Sequence, residues 1–350
     1  KKPKKNFIGN INFGKNTKLI SYSFNFKIFS NYFNYLGFVL FAYLKFINIK
    51  PEKIIFFNRY ALLSLFFLNF FKKKDDKFIY HNFDFEDPKN FKSLKEKILY
   101  KLEIFICKYV DYLIFPSKKR GNLFKKFYKA KNLNILSFSN YFPINFKFKN
   151  TDLFKKFLNK NNISKKKIVC RLGTIGPYHH LFEIIESIKY IKKDVVLILA
   201  GTVVNNFHKN LLKKIRDLKL SNKIYILTNV SNSLWFEILY KSSIGLCFYE
   251  EKNLSHLNMA GPSTKFNNYL MANVPMIVNF NNDFLKFKKN FDIFETANPK
   301  KPKDIAKKIN LILNNAARYK KIKKNQKKAF LNHHNFEYQF KKSYDQVFKH

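Results

Sequence analysis

The sequence predicts an α/β protein built from two domains in tandem, each with a parallel sheet covered by helices on both faces. Its 350 residues, 46% of them apolar, are enough for two cores of ordinary size. Near-continuous apolar runs alternate with amphipathic patterns, such as Leu181, Ile184, Ile185 and Ile188 at helical spacing. A polar stretch rich in lysine and asparagine, residues 146–166, separates two groups of these runs and predicts an interdomain linker.

Each β-rich run is predicted to be a strand. Three lie before the linker and five after it: Lys53–Phe57, Lys77–Phe83, Tyr112–Ser117, Lys167–Leu172, Val195–Ala200, Lys223–Leu227, Ile244–Tyr249 and Pro275–Phe280. In such sheets ligands bind at the carboxyl ends of the strands. We therefore expect the site in the cleft between the domains.

The charge is strongly positive, with 67 Lys and Arg against 23 Asp and Glu, or +44. Such an excess is typical of nucleic-acid binders, because it neutralises phosphates. Here it is mostly lysine, spread along the chain with much Asn, Phe, Ile and Tyr, which indicates a bias toward A/T-rich codons. Direct readout of bases relies on arginine instead, so no specific nucleic-acid partner is expected. A basic face would still attract anionic lipid headgroups and anionic sugar donors.

The cysteines and the apolar runs bear on the compartment. Cys107, Cys170 and Cys247 are far apart in apolar runs, which predicts buried free thiols in a reducing, cytoplasmic setting. Residues 28–44 carry no charge, but the polar side chains among them favour a buried or interfacial helix over a membrane span. The chain opens Lys-Lys-Pro-Lys-Lys without methionine, as a fragment lacking its N-terminus would.

Two segments have the pattern of an anion site. In residues 166–188 a strand ends near Leu172, a turn with Gly173 follows, and a helix starts near His180, which places backbone N–H groups at the strand end. The alternative is an ordinary turn with two incidental histidines. In residues 261–278 hydroxyls precede a short helix that carries Lys265, a pattern that suits a pyrophosphate or a simple capped helix with a solvated lysine.

Residues 261–278 also resemble the "P-S-K-L-F-E-Y-M-A-A-G-x-P-V-I" signature of retaining glycosyltransferases with the GT-B fold, of the family 4 type. Six more segments resemble that family's motifs in the same order along the chain. They are FIYHNFDFED (78–87), VDYLIFPS (110–117), SNYFP (139–143), RLGTIGPYHHL (171–181), IGLCFYE (244–250) and FEYQFKKSYDQVF (336–348). The resemblance covers roughly residues 50–348.

The resemblance implies two Rossmann-like domains that face each other across a cleft, with a last helix that crosses back onto the first domain. The expected bounds are 1–150 for the acceptor-binding domain, 151–335 for the nucleotide-sugar-binding domain, and 336–350 for the crossing helix. The implied reaction moves a sugar from a nucleoside-diphosphate donor to a glycan or lipid-linked acceptor, with retention. The implied setting is cell-surface polysaccharide or lipopolysaccharide biosynthesis at the inner face of the membrane.

The resemblance also assigns residues to the site. Gly173 and Thr174 would approach the donor diphosphate through their backbone. The other donor-binding residues would be His179, Ser263, Thr264, Lys265 and Asn268. Lys265, His179 and Arg171 are the cations available to stabilise the leaving phosphate. His81 and Asp84 would lie on the acceptor side, with His81 holding or deprotonating the acceptor hydroxyl; the alternative is a histidine that caps a strand end. No cofactor and no metal are expected.

Several positions depart from the family pattern. Asn268 replaces the glutamate that grips the donor ribose, and it lacks the charge-assisted strength of a carboxylate. His179 replaces an arginine, while His180 and Asn273 replace glycines. A catalytically weakened relative that binds a nucleotide or a glycan is therefore the alternative function, and a nucleic-acid-binding protein is a third hypothesis.

Overall fold

The computed structural model describes residues 31–130, 133–252 and 254–348, with side chains from residue 37 onward apart from residues 67 and 348. Within them, ten strands form two parallel sheets. The first has the order β1-β2-β3-β4, with β1 Lys53–Phe57, β2 Lys77–His81, β3 Tyr112–Phe115 and β4 Asn134–Ser137. The strands of the second are β5 Lys167–Leu172, β6 Val195–Gly201, β7 Ile224–Thr228, β8 Ile244–Cys247, β9 Met276–Asn279 and β10 Phe294–Ala297.

The α-helices of the described residues cover the faces of both sheets. They are α1 Asn31–Ile49, α2 Asn58–Leu63, α3 Leu65–Leu68, α4 Leu94–Ile106, α5 Lys118–Phe127, α6 Leu153–Lys160, α7 Leu181–Ser187, α8 Phe207–Asp217, α9 Asn232–Lys241, α10 Leu254–Leu257, α11 Thr264–Met271, α12 Asn282–Phe291, α13 Pro302–Asn314, α14 Ala316–Asn332 and α15 Phe336–Phe348. The predicted fold class, two α/β domains with parallel sheets, is confirmed.

The second sheet has the order β10-β9-β8-β5-β6-β7, which is that of a doubly wound nucleotide-binding domain. The direction of winding reverses between β5 and β8. At such a reversal the connections leave on opposite faces and open a crevice at the carboxyl ends of the two strands. The fold therefore directs a ligand to the turns that follow Leu172 and Cys247.

Both faces of this sheet are buried, as a parallel sheet requires. All seven residues of β6 are buried, and the alternating residues of the strands feed two separate apolar clusters. Phe154 and Leu158 of α6 belong to one cluster, so the stretch predicted as a linker contains a packed helix. The side chain of Glu237 accepts hydrogen bonds from the Thr151 and Phe154 amides, at 2.6 and 2.8 Å, and fixes the start of that helix.

The last helix, α15, crosses from the second domain onto the first sheet, as the resemblance implied. Tyr344 and Val347 pack against Ile79, Ile114 and Leu136 of β2, β3 and β4. The Ser343 hydroxyl also donates a hydrogen bond to the Ser137 carbonyl at the end of β4.

The three cysteines are buried and free, as predicted. Helix α1 contains most of the uncharged run of residues 28–44, and residues 28–30 lie outside the described residues. Among the described helices, none combines the length and the hydropathy that crossing a bilayer requires.

Candidate functional site

The two predicted anion-site segments meet at the reversal point of the second sheet. Gly173 follows β5 with φ +129°, and a Cβ atom placed there would lie 3.1 Å from Lys265 Cδ and 3.6 Å from Arg171 Nη1. Lys265 lies in the first turn of α11, 92 positions along the chain. A glycine at this turn therefore leaves the space beside both cations open.

The neighbouring strand holds this turn in place. The Gly173 amide donates to the Ala200 carbonyl at 2.9 Å, and Ile175 forms a bridge with Val203. A Cβ atom at Gly201, at the end of β6, would lie only 2.0 Å from the Gly173 carbonyl oxygen. Because the two strand ends touch through their backbones, the position of the Gly173 turn is fixed by the sheet.

The cations beside this turn have no carboxylate partner among the described residues. Arg171 is buried; its Nη1 donates to the Thr174 carbonyl, while Nε and Nη2 have no hydrogen-bond partner. Lys265 lies with its Nζ 4.2 Å from the centroid of the Tyr249 ring. Burial, with the charge of Arg171, lowers the pKa of Lys265 to about 7, and burial lowers the pKa of Arg171. Two uncompensated cations in a partly desolvated site favour an anionic ligand.

His179 lies in the same cluster but does not carry the charge expected of it. Burial, and then the positive charges of Arg171 and Lys265, hold its pKa far below the ordinary value. Its ring centroid is 5.9 Å from that of Tyr249 and 6.4 Å from that of His256, and its Nδ1 has no hydrogen-bond partner. In this structure, burial therefore favours the neutral imidazole of His179, a group that can exchange hydrogen bonds.

The hydroxyls at the start of α11 differ from each other. Ser263 is buried, and its Oγ accepts a hydrogen bond from the Phe266 amide at 3.0 Å as the helix cap and contacts the Tyr249 hydroxyl. Thr264 is exposed as the first helical residue. Ser263 therefore has a structural role as the helix cap, whereas the side chain of Thr264 is accessible to a ligand.

Asn268 lies one turn further along α11 and is buried. With its amide oriented to satisfy both neighbours, it donates to the Thr264 carbonyl and accepts from Trp235 Nε1, each at 3.2 Å. Its amide thus links α11 to α9.

On the first sheet, His81 is buried at the end of β2 inside a set of aromatic rings. The centroids of Phe83, Phe57 and Phe138 lie 4.5, 5.1 and 5.9 Å from that of His81. Its Nδ1 is 3.4 Å from the Tyr344 hydroxyl oxygen, and its Nε2 has no hydrogen-bond partner. Burial lowers its pKa to about 4, so the imidazole is neutral near pH 7.

Asp84 is exposed and pairs at 3.6 Å with Nη1 of Arg120. Arg120 was missed by the sequence analysis, since a charge in the Lys-Lys-Arg run that starts α5 is typical of a solvated helix end. It is instead buried and crosses to the second domain, where Nε and Nη2 donate to the carbonyls of Asn258 and Ser255 at 3.2 and 3.0 Å. Arg120 therefore joins the loop that follows β2 to the segment that leads into α11.

Models of protein families and curated protein sequences give no match to this chain. Solved structures do. Anabaena Alr3699/HepE, solved with UDP and glucose, superposes with a TM-score of 0.69 at 13% identity, over 90% of this chain and 81% of that one. A glycosyltransferase from Rickettsia africae ESF-5 gives 0.67 at 16% identity, over 94% and 84% of the two chains. WaaG, a glycosyltransferase involved in lipopolysaccharide biosynthesis, gives 0.58 at 10% identity, over 89% and 82%. The chain thus has the GT-B fold of these structures.

Proposed function

We propose that this protein is a glycosyltransferase that takes its sugar from a nucleoside-diphosphate donor. The observation that supports this most directly is the pair of uncompensated cations, Arg171 and Lys265, beside the open backbone of Gly173. They lie at the reversal point of a doubly wound sheet, where such folds bind nucleotides. The likeness to HepE, which was solved with UDP and with UDP-glucose, supports the same ligand class.

In this proposal the chemistry depends on charge. Breaking the bond between sugar and phosphate leaves negative charge on the diphosphate, and fixed positive groups in a desolvated site stabilise that charge strongly. Lys265 and Arg171 supply the positive groups, the neutral His179 supplies a hydrogen bond, and the backbone of Gly173 and Thr174 lies close to the diphosphate. Retention of configuration and independence from metal ions are parts of the proposal that come from the family resemblance.

The acceptor is proposed to be a glycan or a lipid-linked glycan, held on the side of the first sheet. His81, with a pKa of about 4, is a weak base at neutral pH, so we propose that it contacts the acceptor hydroxyl and does not ionise. An anionic membrane is a proposed partner, and the net charge of +44 supports it.

Replacing Lys265 with alanine tests the donor site. Removing a cation that contacts the diphosphate should slow transfer by about 2–4 kcal/mol in the barrier, or roughly 30- to 1000-fold. The assay follows the release of nucleoside diphosphate from a panel of nucleotide sugars. Lys289→Ala, at an exposed lysine of α12, is the control and should leave the rate unchanged. An unchanged rate in Lys265→Ala would remove this residue from the site.

A catalytically weakened relative is the second candidate function, and Asn268 supports it. Its buried amide is engaged within the protein by Thr264 and Trp235, where the family's glutamate would hold the donor ribose. The two candidates differ in turnover: the weakened relative would bind a nucleoside diphosphate as tightly as an active enzyme but release none from any donor.

A further inference from the structure

Helix α4 buries a carboxylate and exposes several large apolar residues. Its inner side buries the carboxylate of Glu103, which accepts hydrogen bonds of 2.6 Å from Arg59 Nε and from the Tyr80 hydroxyl. Its outer side presents large apolar residues at spacings of three and four. These are Leu94, Ile98, Leu102 and Phe105, exposed by 74, 48, 44 and 41%. A helix with this pattern leaves one apolar face without a partner in the described chain.

The apolar face extends beyond α4. The ring of Phe66 lies 6.2 Å from that of Phe105 and also 6.2 Å from that of Phe70, and Phe70 is 76% exposed. We call this surface the α4 patch and define it by Leu94, Ile98, Leu102, Phe105, Phe66 and Phe70. Two segments of the first domain contribute to it.

Exposed lysines occur on α4 and next to the segments that form the α4 patch. Exposed lysines of this region are Lys73, Lys74, Lys95, Lys97, Lys101 and Lys108. The Lys108 Nζ lies 5.5 Å from the Phe105 ring centroid, so its charge adjoins the apolar side chains directly. Of the two carboxylates in α4, Glu103 is buried and Glu96 is held in the capping box with Ser93. The face is therefore both apolar and cationic.

We propose that the α4 patch binds the surface of an anionic lipid bilayer. Large apolar side chains enter the boundary between headgroups and acyl chains, and interleaved lysines bind anionic headgroups, as in interfacial helices. A second copy of the chain fits less well, because a symmetric contact would bring the same lysines together. Vesicle binding requires neither donor nor acceptor, so the inference rests on the proposed function only for the biological purpose of membrane binding.

Co-sedimentation of the full chain with vesicles tests the proposal. We expect binding to mixed phosphatidylglycerol and phosphatidylcholine vesicles, and little to phosphatidylcholine alone. Ile98→Ser with Leu102→Ser should weaken binding by about tenfold or more, because each apolar side chain loses its contact with lipid. Lys97→Glu with Lys101→Glu should weaken it by a similar factor and reduce its salt dependence.

Matched controls lie on the second domain. Leu212→Ser with Leu311→Ser removes apolar residues of similar exposure, 40 and 39%, and Lys209→Glu with Lys213→Glu makes the same change of charge at exposed lysines. Both controls should bind vesicles as the wild type does. The proposal is overturned if the α4 variants bind like the wild type, or if the controls weaken as much. It is also overturned if the α4 substitutions abolish a dimer while the wild type ignores vesicles. Nucleotide affinity, measured on the same variants, should not change, which separates this proposal from the donor site.

Discussion

Among single residues of the candidate site, Gly173 has a backbone conformation that limits substitution. Its φ of +129° is unfavourable for a side chain, and a Cβ atom would meet Lys265 Cδ at 3.1 Å. Gly173→Ala should therefore cost about 1–3 kcal/mol of the free energy of unfolding and displace the Lys265 side chain, which weakens nucleotide binding. Urea unfolding and a nucleotide titration measure the two effects.

Gly176, three residues away, is the matched control. It has an extended backbone with φ −158°, and an added Cβ atom would make only an ordinary contact of 3.4 Å with Val204. Gly176→Ala should leave stability and nucleotide affinity nearly unchanged. Equal losses in the two variants would contradict the special role of Gly173.

At the residue scale, backbone conformation was easier to predict from the sequence than the charge state of a buried side chain. His180 and Asn273, which stand where the resembled family has glycine, have φ of 53° and 54°, so the left-handed turns persist without glycine. The neutral state of His179 could not be predicted, because it depends on burial next to Arg171 and Lys265. The interdomain role of Arg120 depends likewise on contacts over 135 positions or more along the chain.

Among the elements, the packing of helix α15 on the first sheet is tested most directly by substitution. Tyr344 packs on the face of the first sheet and is 3.4 Å from His81 Nδ1, whereas Tyr338 of the same helix is 41% exposed. Tyr344→Ala should destabilise the protein by about 3 kcal/mol, since it removes an aromatic side chain from a packed face and opens the surroundings of His81. Urea unfolding measures the change. Tyr338→Ala should cost far less, and a loss equal to that of Tyr344→Ala would refute the docking of this helix.

Long apolar strands were predictable, and short polar or aromatic ones were not. The bounds of β1 and β5 match the sequence prediction, whereas β4 and β10 were missed. Strand β4 has the sequence Asn-Ile-Leu-Ser and β10 Phe-Glu-Thr-Ala, each only four residues long, and neither forms an apolar run. Helix α6 was missed because lysine and asparagine cover its outer face, although Phe154 and Leu158 at a spacing of four indicate its buried side.

For the whole molecule, the two-domain architecture predicted from alternating strands and helices is confirmed, and so is the crossing helix that the family resemblance implied. The domain bounds of 1–150, 151–335 and 336–350 stay predictions. The contact between the domains was not predictable. It includes Arg120, the ion pair of Lys119 with Asp283 at 3.3 Å, and the hydrogen bond of 3.1 Å from Asn267 Nδ2 to the Asn140 carbonyl. These polar contacts join α5 and the loop after β4 to α10, α11 and α12.

The central claim is that the Gly173 turn and Lys265 bind a nucleoside diphosphate, and calorimetric titration tests it most directly. UDP, GDP, ADP and CMP are titrated into the wild type and Lys265→Ala, with and without EDTA, below and above pH 7. The pKa of Lys265 is about 7, and a bound diphosphate stabilises its protonated form. Affinity should thus be level below pH 7 and fall by up to about tenfold per pH unit above it, as the proton is lost.

We expect the wild type to bind at least one of the diphosphates, without dependence on EDTA, and with this fall in affinity above pH 7. Lys265→Ala should bind more weakly, with a flatter pH profile. A folded wild-type protein that binds none of the nucleotides would contradict the account, as would a Lys265→Ala variant with unchanged affinity and an unchanged pH profile.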